Sequence, residues 1–182
     1  DPSGHMLGSA FVKIDDGRRS ILFSGDIGRP NDLVLVAPAR VPGADYAVVE
    51  STYGDRQHEA SDPLLKLGEV INRTAARGGV VVIPAFAVGR AQNLMYCIHL
   101  LKERGVIHHL PVYLDSPMAT DATRIYHAHR SEHRLSPEQC EAMCHAATIV
   151  NKPDDSRALS ARRGPMVIIS ASSVIVAFGV AA

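Results

Sequence analysis

Three residues in the first third of the chain have the type and placement for chemistry. His5 lies in "SGHMLGSA", where small residues on both sides let the backbone turn tightly and present an imidazole. Asp26 ends the run "ILFSGDIGR", and Glu50 ends "YAVVE" at the start of "ESTYGDR". A carboxylate at the end of an apolar strand is costly unless something pairs with it. A histidine and an aspartate about twenty residues apart on successive loops are the ligand types a zinc site takes, and a carboxylate can bridge two metal ions in hydrolysis. Ordinary alternatives stand beside this reading: a hydrogen-bonded structural histidine, and an aspartate capping loop amides.

The elements that must position these residues change character along the chain. Strands are predicted over 9–15, 20–25 and 46–50, the first two as a hairpin across "DDGRR". From residue 61 the pattern becomes helical: "SDPLLKLGEVINRTAARGG" has an N-cap signal, an early Pro63, Leu64, Leu67, Ile71 and Ala75 on one face, and a Gly78-Gly79 stop. "VVVIPAF" then reads as a strand covered on both faces, "GRAQNLMYCIHLLKERG" as a helix with Leu94, Ile98 and Leu101 in register, and "PVYLDS" as the next strand. "PMATDATRIYHAHRSEH" and "SPEQCEAMCHAA" read as helices, the latter with Ser136 as N-cap and Pro137 at N1, and "PMVIIS" as a closing strand. Alternating strands and helices predict an α/β fold with a parallel, Rossmann-like sheet from about residue 61 onward. Ligands of such sheets sit at the carboxyl ends of strands, which draws attention to Arg90 in "AVGRAQ" and Ser116 in "LDSPMA" as phosphate contacts.

Composition sets outer limits. The 182 residues carry 19 Lys plus Arg against 19 Asp plus Glu, so no global field draws the chain to a polyanion, and any nucleic-acid site must be a local patch. "RIYHAHRSEHR" at 124–134 is one such concentration, with a solvated helix face as the plainer reading. Cys97, Cys140 and Cys144 form no disulfide framework, and no signal peptide or long apolar run appears, which predicts a cytoplasmic protein with no membrane partner. Cys140 and Cys144 share a helical face and read as packing residues. The loop-like opening "DPSGHMLGSA" and apolar close "VIVAFGVAA" are expected of a fragment.

Six motifs in order, "GHMLGSA", "SGDIGR", "ESTYGDR", "IPAFAVGRAQNL", "LDSPMA" and "MVIISAS", resemble the β-CASP branch of the metallo-β-lactamase superfamily, the RNA-processing nucleases related to the cleavage and polyadenylation endonuclease. The resemblance covers about residues 4–172. It implies that 1–60 is part of an αββα metallo-β-lactamase domain and that 61–182 is a truncated Rossmann-like β-CASP domain. It also implies that His5 is a zinc ligand, that Asp26 bridges two zinc ions, and that Glu50 orients a later histidine that protonates the leaving oxygen. The implied substrate is RNA, single-stranded on this reading, and a homodimer is compatible with it.

The chain departs from the family pattern in three places. The HxHxDH ligand motif does not occur in it, the two late histidine motifs are not in it, and the stretch from Ser173 onward, "SVIVAFGVAA", is atypical. The expected function is therefore that of part of a two-zinc ribonuclease, with the isolated 182 residues inactive. Two alternatives stay open: a small-molecule metallo-hydrolase, and a catalytically inactive scaffold subunit of an RNA-processing complex.

Overall fold

The first two predicted strands form in the computed structural model as β1 (Val12–Asp15) and β2 (Ser20–Phe23), an antiparallel hairpin in which Val12 pairs with Phe23 and Asp15 with Ser20. The structure describes residues 1–41, 43–57, 62–107 and 109–171, so the predicted tail anomaly lies outside the described residues. Both strands are shorter than the sequence pattern suggests, because Ser9, Ser24 and Gly25 leave the ladder for loops. A third strand, β3 (Tyr46–Val48), runs parallel to β2 and places Phe23 beside Val48. This three-stranded sheet belongs to unit 1, the described residues of 1–60 together with Ser131–Leu135.

Unit 2 takes the remaining described residues and is an α/β assembly. Helix α1 (Pro63–Ala76) starts where the Asp62 carboxylate accepts the Leu64 N–H at 2.9 Å, with Pro63 at the first helical position. Its buried face is Leu64, Gly68, Ile71 and Thr74, so the stripe is rotated from the expected Leu67 and Ala75. Gly68 explains the rotation: a Cβ there would come within 2.9 Å of Val106 and 3.1 Å of Leu101, so the helix packs through its glycine. After α1 come β4 (Val80–Ala85), α2 (Arg90–Glu103), β5 (Val112–Asp115), α3 (Pro117–Ala128) and α4 (Pro137–Cys144). Ser136 caps α4 as expected. Two elements without a sequence prediction follow, β6 (Thr148–Val150) and α5 (Pro153–Ala161), and β7 (Met166–Ala171) closes the order.

The four strands of unit 2 among the described residues are all parallel, in the order β4-β7-β5-β6. The last strand in sequence inserts between β4 and β5, which makes β4 an edge. This corrects the expectation that "VVVIPAF" is covered on both faces: β4 is half-exposed, and Pro84, with no N–H to donate, sits where an edge strand tolerates it. The dry positions are β5, buried throughout, and β7, whose Val167, Ile168 and Ile169 are fully enclosed. Among the described residues, no helix is long and apolar enough to cross a membrane.

Candidate functional site

Because β2 and β3 are parallel, their carboxyl ends lie at one edge of the small sheet, and Asp26 and Glu50 leave from that edge. The His5 loop reaches it through backbone contacts. Gly28 N–H donates to the Ser3 carbonyl at 2.8 Å, and the Ser3 hydroxyl donates to the Asp26 carbonyl at 2.8 Å. The two backbones approach so closely that a Cβ on Gly28 would lie 1.8 Å from the Gly4 carbonyl oxygen. Gly4 itself has φ of 70°, and a Cβ there would meet the Val36 carbonyl oxygen at 2.7 Å. Ser9 completes the turn by accepting the N–H groups of His5 and Met6, both at 3.1 Å.

This clasp sets His5 Nε2 3.7 Å from Asp26 Oδ2. The side chains are 41% and 70% exposed, and an ion pair in water contributes at most about 1 kcal/mol. The pair therefore does not hold the loops together; the glycine and serine contacts do, and they present the two donor atoms side by side. Bonds of about 2.1 Å from one metal ion to each donor would span such a gap, so the pair fits a shared metal. A catalytic zinc takes about three protein ligands. Among the described residues, no group of three or more His, Cys, Asp or Glu side chains is placed to hold one, so these donors are a partial set.

Glu50 joins the same edge with its carboxylate already engaged. Oε1 accepts the Ile27 N–H at 2.7 Å, Oε2 accepts the Thr52 hydroxyl at 2.7 Å, and the Glu50 N–H donates to the Ser24 hydroxyl at 3.0 Å. The Ile27 amide foremost, then the Thr52 hydroxyl, hold its pKa below the usual glutamate range, with the His5 charge a smaller contribution. The structure thus brings His5, Asp26 and Glu50 to one sheet edge, with Glu50 tied to the residue that follows Asp26. Ser3, Ser24, Gly28 and Thr52 were not singled out from sequence; the paired small residues in "SGHMLGS" and "SGDIG" were the signal for a close backbone approach.

Arg90 and Ser116 belong to unit 2. Arg90 is the exposed first residue of α2. Ser116 is buried, and its hydroxyl caps α3 by accepting the Ala119 N–H at 3.1 Å. The histidine-rich stretch is largely neutralised: Arg124 pairs with Asp121 at 3.0 Å, His127 with Glu141 at 3.0 Å and Arg130 with Glu141 at 3.6 Å. His133 is buried, and Arg134 donates to the Asp32 carbonyl at 2.6 Å. Cys140 is fully enclosed, and burial pushes the Cys144 thiol up to about 12, which leaves it a packing group.

The Beta-Casp domain family model matches residues 91–177. Ribonuclease TTHA0252 of Thermus thermophilus is 33% identical over 187 residues, covering 95% of this chain and 41% of that protein. A Beta-Casp domain is thus part of this chain. The transcription termination factor FttA of Pyrococcus abyssi is 41% identical over 133 residues, 70% of this chain and 20% of the factor. Cleavage and polyadenylation specificity factor subunit 3-I of Arabidopsis thaliana is 37% identical over 128 residues, 68% of this chain and 18% of that subunit. The chain therefore spans less than half the length of these curated relatives. The matched β-CASP segment begins one residue after Arg90 and includes Ser116, while His5, Asp26 and Glu50 precede it. Nucleases of this family are metal-dependent.

Proposed function

We propose that this chain is part of a zinc-dependent ribonuclease that hydrolyses phosphodiester bonds of single-stranded RNA in a cytoplasmic, reducing compartment. The observation that carries the reading is the His5–Asp26 pair, held 3.7 Å apart by backbone contacts rather than by its own attraction, in a β-CASP protein similar to a ribonuclease. His5 would hold one zinc ion and Asp26 would bridge it to a second. Zinc bound there supplies Lewis acidity, lowering the pKa of water and offsetting charge on the attacked phosphate.

The chain's own residues have separable tasks. Asp26 fixes the spacing of the donors, and the Gly4–Gly28 clasp keeps the His5 loop against it. Glu50, with both oxygens accepting hydrogen bonds, acts as a positioning residue rather than a ligand. Arg90 meets a phosphate of the substrate, and Ser116 orders the neighbouring loop by capping α3. The three cysteines form no disulfide, which supports the reducing compartment.

The test is cleavage of an end-labelled single-stranded RNA by the full-length protein carrying this chain, before and after chelation and after zinc is restored. Cutting that disappears with chelation and returns with zinc is expected. A protein that binds RNA but never cuts it would favour a scaffold role and overturn the hydrolase reading. Cutting that survives complete metal removal would overturn the zinc assignment.

A further inference from the structure

Phe86, the residue that follows β4, is 76% exposed, more than any other large apolar side chain among the described residues. A loose loop tip would account for an exposed ring at no cost, but this loop is clamped. The carbonyls of Phe86, Ala87 and Val88 accept hydrogen bonds from the Ala91 N–H at 3.1 Å, Gln92 Nε2 at 3.1 Å and the Arg90 N–H at 3.0 Å. The residues before and after it, Ala85 and Ala87, are buried. Gln92, fully enclosed, also accepts the Gly89 N–H at 2.7 Å and shares Nε2 with the Ala119 carbonyl at 3.2 Å and the Thr123 hydroxyl at 3.0 Å. One carboxamide thereby ties the β4–α2 loop to the first turn of α3, next to the 67% exposed Met118.

We propose that Phe86 is a nucleobase-stacking contact for single-stranded RNA, with Gln92 as the residue that positions it. This rests on the RNA reading above. The surroundings select the ligand. Arg90 is exposed four residues on, and the first turns of α2 and α3 carry no acidic residue. At the end of β6, by contrast, the first turn of α5 carries Asp154 and Asp155. Of the three strand exits at this sheet edge that lead into helices among the described residues, the two around Phe86 and Met118 are therefore open to a polyanion. An apolar ring on a clamped loop, with a cation four residues on, matches a chain that offers an aromatic face and a phosphate at each step, and such stacking tolerates any base.

The experiment measures dissociation constants of the full-length protein for a fluorescein-labelled single-stranded RNA 12-mer across a salt series. The variants are Phe86→Ala, Phe86→Leu and Phe86→Tyr, with unchanged melting temperature as the folding control. Stacking predicts that Ala and Leu both weaken binding about tenfold while Tyr stays near wild type, and that Phe86→Ala leaves the salt slope unchanged. Arg90→Ala should instead lower that slope by about 0.7. If Leu binds like wild type, the ring serves apolar packing against another kind of partner and the proposal fails. It fails equally if Phe86→Ala binds like wild type. A wild-type protein that binds no RNA would overturn the functional reading itself, a result separate from either.

Discussion

In unit 1, Val12, Ile14, Phe23, Tyr46 and Val48 share one face of the three-stranded sheet and keep roughly two-fifths or more of their surface in water, whereas Leu114, Val167 and Ile169 of unit 2 are fully enclosed. The strands are similarly apolar, but unit 2 covers its sheet with its own helices. The contrast extends to the way each unit holds its loops. Unit 2 fixes its carboxyl-edge loops with buried polar groups, Gln92 between α2 and α3, and Asp115 accepting the Ser156 hydroxyl at 2.8 Å. Unit 1 instead uses contacts to the backbone at glycine and serine and leaves the His5 and Asp26 side chains accessible. A donor pair meant for a ligand gains from that arrangement, because the donors stay exposed while their separation is set by groups that do not titrate.

The largest effect that would sharpen this contrast is at the clasp. Gly28→Ala forces a Cβ against the Gly4 carbonyl, so one backbone must move by more than an ångström, whereas Gly43→Ala meets nothing within 4 Å. We expect the Gly28 variant of the full-length protein to lose detectable RNA cleavage and most bound metal, with the Gly43 variant near wild type. Equal behaviour of the two would break the claim that the clasp sets the site. Next, Glu50→Gln should lower the cleavage rate about 100-fold or more while metal content by elemental analysis stays near normal, as a positioning residue requires. Metal loss in that variant would make Glu50 a ligand.

Smaller effects distinguish the two sheets themselves. Ile169→Ala in β7 opens a cavity in a closed core and should cost about 2–5 kcal/mol in urea unfolding. Val48→Thr on the exposed face of unit 1 should change stability by only about 0.5 kcal/mol or less. Comparable losses from the two substitutions would show that the unit 1 face is covered in solution.

The sequence carried the local content of the fold well. The three N-terminal strands, the helix beginning at Pro63 and the Ser136–Pro137 start of α4 all follow from short-range signals. Thr148–Val150 and α5 escaped because a three-residue strand has no measurable period, and Leu159 alone is buried in a helix that is otherwise polar. Strand order escaped for another reason: β7 enters between β4 and β5 by pairings across 86 and 55 residues, Val80 with Met166 and Val112 with Val167, and this decides that "VVVIPAF" lies at an edge. Asp26 and Glu50 were legible as polar ends of apolar runs, and His5 as an imidazole set between small residues. The Ser3–Gly28 and Glu50–Ile27 contacts that gather them were not, since they join loops more than 20 residues apart.

The proposed function makes Asp26 and His5 metal donors of an RNA-hydrolysing site. The most direct measurement is zinc content and RNA cleavage, taken on the same preparation of the full-length protein with Asp26→Ala. Bound zinc should fall and cleavage should disappear with it, while the melting of unit 2 is unchanged. Wild-type zinc stoichiometry together with wild-type turnover in that variant would contradict the proposed function.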